Sequence, residues 1–416
     1  MIRPIPMLLA GLFISASCTA APATPSDEQA LQHAKALLAR VPLVDGHNDL
    51  PYIIREHPKY HGDVAGYDLR QHTDGETDIA RLKAGGVSAQ FWSVYVDGAL
   101  KSGWARTQLE QIELTKRMIA RYPDSFMLAT TSADIMKAKR AGKVASFLGM
   151  EGGHVIENSL GALRAYYDMG VRYMTLTHNV TLDWADAAAD EHRHGGLTPF
   201  GKEVVREMNR LGMLVDLAHV STGVMQQTLD VSEAPVIFSH TGARALAPIE
   251  RNVPDEVLKR MPANGGVVMV YYVPEFLNKQ ALAWSDELKK RTPKGASPAD
   301  KKAIYEAYLK EAGPLPRVTV KDVADHIEHI ARIAGKDHVG IGADYCGGND
   351  PEGLKDVSTY PVLFAELIKR GWSDADLAKL AGGNLIRAFA KAEQVAARLQ
   401  KERQPSLATV DLAAAR

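Results

Sequence analysis

Short apolar segments recur along the chain at 41–46, 87–96, 144–150, 172–177, 213–218, 235–239, 267–272 and 338–343, and most are separated by stretches of helical spacing. Continuously apolar strands alternating with helices imply a parallel sheet whose two faces are both covered. Eight such strands predict an α/β fold of the (β/α)8 TIM-like barrel type. An open doubly wound sheet is the alternative, but no G-x-G-x-x-G follows the first strand to support it. The helical stretches are clear at 27–40, where Ala30, Leu31, Ala34, Leu37 and Leu38 share a face, and at 106–121 through Leu109, Ile112, Met118 and Ile119.

The ends of the chain read differently. Arg3 precedes an apolar run from Met7 to Ala16, and small residues lead to Ala21-Pro22-Ala23. This pattern predicts an export signal over 1–23, too short for a spanning helix, and hence a periplasmic protein. Cys18 offers the alternative of a lipid anchor, although Ser15 stands where such sites usually carry an aliphatic residue. Cys18 and Cys346 are the two cysteines, so removal of the signal leaves one thiol and no internal disulfide. Residues 24–400 are then expected to form one catalytic domain, with a charged insertion at about 275–316 and a frayed tail over 401–416. No second apolar stretch is long enough to cross a membrane. The formal charge of −1 shows no basic excess of the kind a nucleic-acid surface needs, so no nucleic-acid partner is expected.

In a parallel barrel, residues just past the C-terminal ends of the strands converge on one face. Those positions hold His47 and Asp49 after the first strand, Glu151 after the third and His178 after the fourth. His219, His240 and Asp344 follow the fifth, sixth and eighth. Imidazoles and carboxylates together suit zinc or a similar divalent cation. His47, His219 and His240 with Asp49 and Glu151 suffice for two ions if one carboxylate bridges. Glu151 is the natural bridge, because Gly152-Gly153 behind it lets the backbone pack closely. Two cations about 3.5–4 Å apart would acidify a water held between them. Asp344 is placed to take the proton and pass it to a leaving amine. His178 reads either as a donor to a developing oxyanion or as a structural histidine bonded to the 179–197 loop. Arg251 reads either as a clamp for a substrate carboxylate or as an ordinary surface or salt-bridged arginine. His192 and His194 fall in the polar loop, and His326 and His329 are expected on the exposed or boundary face of a helix. His154 is expected to cap or pack.

The stretches VDGHNDLP (44–51), QFWSVY (90–95), KVASFLGMEGGH (143–154), RYMTLTHN (172–179), LVDLAHVS (214–221), APVIFSH (234–240), RNVPD (251–255) and GIGADYCG (340–347) resemble the membrane (renal) dipeptidases, peptidase family M19, over about residues 40–395. The resemblance implies a barrel of the metal-dependent amidohydrolase type. It implies one zinc on His47, Asp49 and Glu151 and a second on Glu151, His219 and His240. It further implies substrate binding by His178 and Arg251, an active-site Asp344, and a homodimer. Substrates would be dipeptides with free termini, some members accepting a D-residue at the second position. A related hydrolase of N-acyl amino acids or lactones is the alternative, and a non-enzymatic exported metal- or peptide-binding protein is a third. Mammalian members carry a C-terminal lipid anchor and cysteine pairs. This chain shows neither, so the resemblance is to an exported bacterial-type member. The insertion follows the seventh strand and is placed to overhang the active face, and Cys346 to line the pocket.

Overall fold

The computed structural model describes residues 25–293, 295–345 and 350–410. The expected export signal, both cysteines and the last six residues lie outside them. Nine parallel strands form the sheet: β1 (Leu43–Asn48), β2 (Val87–Ser93), β3 (Phe126–Leu128), β4 (Val144–Glu151), β5 (Val171–Thr175), β6 (Leu214–Asp216), β7 (Ile237–Thr241), β8 (Val267–Val270) and β9 (Val339–Ile341). Their order is β2-β1-β9-β8-β7-β6-β5-β4-β3, and pairing of β2 with β4 closes an eight-strand barrel. Each of the eight expected strands is present. β3 is additional: it pairs only with the first half of β4, Phe126 opposite Val144 and Leu128 opposite Ser146, before β5 joins at Leu148. A three-residue strand with one face exposed has too little periodicity to be read from sequence.

The strands are apolar throughout because both faces are covered. Inside the barrel Phe91 stacks on Phe147 at 4.7 Å between ring centres, and Tyr173 lies 5.3 Å from Phe91. Phe389, from the last helix (Asn384–Glu402), packs edge-on against Phe147 at 5.7 Å. The seam between the first and last barrel strands is narrow: Asp45 pairs with Ile341, and Asn48 is bridged to Tyr345 beyond the end of β9.

Several expectations are corrected. The charged segment 275–316 carries two long helices. Lys279–Arg291 is capped by the Asn278 side chain, and Pro298–Ala312 is opened by a Ser297/Asp300 capping box. Arg291 joins the two through a forked contact with Glu311 at 2.7 and 2.9 Å. His326 and His329 are buried, not exposed. His326 accepts from the Ala243 N–H and donates to the Leu277 carbonyl, and burial pulls it down to about 4. The 179–197 loop is organised around buried Asp186, which accepts from the N–H groups of Arg193, His194 and Gly196. The last helix runs through Glu402, and beyond it Ser406 donates to Glu203 and Glu207 where a frayed tail was expected. Among the described residues no helix is long and apolar enough to cross a membrane.

Candidate metal centre

The eight expected site residues gather at the C-terminal mouth of the barrel. His47 is inside the end of β1. Asp49 follows it at the N-terminus of the helix Leu50–Glu56, where its side chain makes no capping bond and is left to the cluster. Glu151 ends β4, and His240 sits within β7. His219 and Asp344 each lie three residues beyond a strand and adopt φ of 62° and 64°. That left-handed backbone is uncommon for residues with a Cβ and marks positions held by their surroundings.

Glu151 is the hub. Its Oε2 lies 3.4 Å from His47 Nε2 and accepts from Ser93 Oγ at 3.1 Å. Its Oε1 lies 3.2 Å from His219 Nε2, 3.3 Å from His240 Nε2 and 3.7 Å from His178 Nε2. The two oxygens of one carboxylate therefore face different imidazoles, Oε2 that of His47 and Oε1 those of His219, His240 and His178. Asp49 Oδ2 and Asp344 Oδ1 complete the His47 side at 3.5 and 3.8 Å. The ligand-capable atoms fall into three overlapping triads: His47–Glu151–His240, Glu151–His178–His219 and His47–Asp49–Asp344.

The charges follow from this crowding. Burial pushes the Glu151 carboxyl up, but the surrounding His47, His178, His219 and His240 more than offset it and hold the group well below the usual carboxylate range. Burial pushes Asp344 up to about 8 against the pull of His47, with Asp49 adding to the rise. His219 and His240 are held well below the usual histidine range, chiefly by burial, with Arg251 adding to it. Their rings are therefore neutral and present nitrogen lone pairs.

This donor set fits divalent cations. His47 Nε2 and Asp49 Oδ1 are buried without a hydrogen-bond partner, an arrangement that is costly unless a positive charge is supplied. The mixture of imidazole and carboxylate is the one zinc and its neighbours favour. His47 Nδ1 is 2.8 Å from the Tyr173 hydroxyl, and His219 Nδ1 is 3.3 Å from Asn179 Oδ1. Each contact fixes a ring so that Nε2 faces the cluster.

Arg251 closes one side. Its guanidinium lies 4.9 Å from the ring of Tyr271 and 5.0 Å from that of Phe276, and Nη2 donates to His219 Nε2 at 2.7 Å. Its Nε and Nη1 are buried and unpartnered. It is not a surface residue. Beyond it opens a cavity of about 710 Å³ bordered by His219, Arg251, Asp344 and, on the far wall, Leu282, Ser285, Asp286 and Lys289 of the helix Lys279–Arg291. The insertion thus overhangs the site, as expected. His154 packs, its Nε2 donating to the Val96 carbonyl.

The description "Membrane dipeptidase (Peptidase family M19)" matches residues 31–403. The chain belongs to that family. It is thereby a dipeptide-hydrolysing metallopeptidase. Among M19 relatives, Dipeptidase 3 of Mus musculus is 41% identical over 377 residues, covering 89% of this chain and 68% of the mouse protein. Dipeptidase 3 of Rattus norvegicus is 40% identical, with 89% and 69% covered. Among solved structures, the probable dipeptidase PvdM from Pseudomonas aeruginosa superposes with a TM-score of 0.77 at 27% identity, over 88% of this chain and 99% of that one. The dipeptidase AC, a metallo peptidase, shares the fold with a TM-score of 0.70 at 23% identity, over 85% and 98%.

Sequence reasoning about this M19 chain missed the residues that hold the site in place. Tyr173, Ser93, Asn179, Tyr271 and Phe276 gave no signal of their own. Asp45 and Asp216 did: a carboxylate inside an apolar strand is unfavourable unless it has a task. Gly149 belongs with them. A Cβ there would lie 2.1 Å from the Tyr173 ring. Gly149→Ala is expected to displace Tyr173 from His47, lower stability by about 1–3 kcal/mol and weaken metal retention. Thermal melts with and without chelator check this; equal losses in both would place the effect in packing alone.

Proposed function

We propose that the chain is an exported dipeptidase working with two zinc ions at the barrel mouth. The supporting observation is Glu151, whose two oxygens face different imidazoles, beside a buried arginine with two unpartnered nitrogens. His47, Asp49 and Glu151 would hold one ion, and Glu151, His219 and His240 the other. When bound, such ions supply an acidified water and polarise the scissile carbonyl.

The protein's own groups do the rest. Arg251, whose Nε and Nη1 have no partner within the protein, receives the C-terminal carboxylate of the dipeptide at its guanidinium, pre-positioned by Tyr271 and Phe276. His178, 13% exposed and facing the cluster, donates to the oxygen that gains charge in the transition state. Asp344 accepts the proton of the attacking water and delivers it to the leaving amine. In the metal-free protein burial raises that carboxyl, which favours its holding the proton between the two transfers. The helix Lys279–Arg291 forms the outer wall and meets the substrate side chain.

The test is hydrolysis of L,L and L,D dipeptides by metal-analysed protein, before and after chelation, with C-terminal amides, N-acyl amino acids and lactones alongside. Zinc-dependent cleavage of free dipeptides is expected. Cleavage confined to N-acyl amino acids or lactones would sink the proposal. Arg251→Met is expected to raise KM for free dipeptides by about 10–150-fold, the worth of hydrogen bonds to a charged group. The same change should abolish the preference over amides. A preference that survives it would remove Arg251 from this role.

A further inference from the structure

Beneath the cluster lie two fully buried aspartates that touch no reacting atom, Asp45 on β1 and Asp216 on β6. The geometry points to these as the positioning residues of the two halves of the centre, one carboxylate for each half. We infer that Asp216 governs the His219/His240 half and Asp45 the His47/Asp344 half, and that each can be weakened without the other. This rests on the two-ion reading above.

Asp216 receives four hydrogen bonds. Its Oδ1 accepts from the N–H of Ser239 at 2.7 Å and of Ala218 at 3.2 Å, and its Oδ2 accepts from Ser239 Oγ at 2.6 Å and Thr175 Oγ1 at 2.5 Å. The Ser239 hydroxyl proton is thereby committed to the carboxylate. Its oxygen, 2.8 Å from His240 Nδ1, is left to accept the proton of that ring nitrogen. His240 Nε2 then carries a bare lone pair toward Glu151. The same carboxylate fixes Ala218, the residue before His219, and so supports the left-handed turn that aims that imidazole. One buried charge sets the tautomer of one histidine and the backbone of the other.

Asp45 repeats the arrangement across the barrel. Its Oδ1 accepts from the N–H of His47 at 3.3 Å and of Ala343 at 2.8 Å, and Oδ2 accepts from the Tyr360 hydroxyl at 2.5 Å. Ala343 precedes Asp344, whose own left-handed N–H donates to the His47 carbonyl at 3.2 Å. The hydrogen-bond partners of the two aspartate side chains do not overlap.

The decisive variant is Asp216→Asn. An amide nitrogen there donates to Ser239 Oγ and turns the hydroxyl proton toward His240 Nδ1. The imidazole proton must then sit on Nε2, where it blocks a cation. Histidine ring 15N shifts of the chelated full-length protein are expected to place the His240 proton on Nδ1 in the wild type and on Nε2 in D216N. Zinc titration against a chelator is expected to show one of two binding events weakened by about 10–100-fold in D216N, the other staying within about twofold. Asp45→Asn is expected to weaken the other event. Combining D216N with His240→Ala should add nothing, whereas combining it with His47→Ala should impair both events.

A folded D216N protein with unchanged His240 tautomer and unchanged zinc affinities would overturn the assignment. So would an equal fall of both events in either variant. Should D216N not fold, Ser239→Ala carries the test: it removes the hydroxyl and must relax the His240 tautomer preference. A wild-type protein binding fewer than two zinc ions defeats the two-ion reading and the division into halves with it. The ring tautomer still judges the Asp216–Ser239–His240 link on its own.

Discussion

Glu151→Gln is expected to lower kcat by at least about 10³-fold, more than the loss of a single transition-state donor, and to reduce zinc content at both positions. The amide keeps the shape of the side chain. It removes the negative charge that four imidazoles surround, and its nitrogen cannot accept from Ser93 or donate a lone pair to a cation. Either orientation of the amide leaves one imidazole set facing N–H groups. Glu151→Asp is the informative companion. It keeps the charge but withdraws it by one methylene, so one set should retain its ion and the other lose it. Metal analysis beside initial rates reads both effects. Full activity in the glutamine variant would remove Glu151 from the centre.

Asp344→Asn is expected to behave differently: zinc retained, KM for a dipeptide changed only a few-fold, and kcat down by about 10²–10⁴-fold, the usual worth of a positioned acid–base group. An equal loss of zinc and activity would instead make Asp344 a ligand. The metal-free protein gives a second readout. Asp344 rises from 3.8 to about 8 on folding, so its contribution to stability is fully present below pH 3.8 and is lost as pH rises through about 8. The lowered His219 and His240 slope the opposite way, but only below 6.5. In chelator, from about pH 6.5 to about 8.5, the melting temperature of the wild type is therefore expected to fall more steeply than that of Asp344→Asn.

The barrel was legible because its strands are buried on both faces, which makes them uniformly apolar, and because ionisable residues at their ends stand out. That logic located His47, Glu151, His219, His240 and Asp344 directly. It located Arg251 only ambiguously, since nothing in Glu250-Arg251-Asn252 announces that Tyr271 and Phe276, some twenty residues on, will hold the guanidinium. The burial of His326 was invisible for the same reason: its partners, the Leu277 carbonyl and the Ala243 amide, are far away in sequence. The two helices of the insertion carry cap signals at Asn278 and Ser297-Pro298 that outweigh a charged composition. The supporting polar residues escaped because a serine, threonine or tyrosine inside a strand is ordinary until its partner is known.

The narrow seam between β1 and β9 has a dynamic consequence. One pair within the strands gives little ladder to resist opening, and beyond it closure rests on the Asn48–Tyr345 bridge, the Asp344 N–H on the His47 carbonyl, the Asp49 N–H on the Tyr345 carbonyl and Asp45 bonding to Ala343. Amide protons along this seam should therefore exchange faster than those of the β2–β4 junction, which is paired over five consecutive positions. Because His47 and Asp344 stand on opposite sides of that seam, each such opening event would also take apart the candidate metal centre while the remaining strands stay closed.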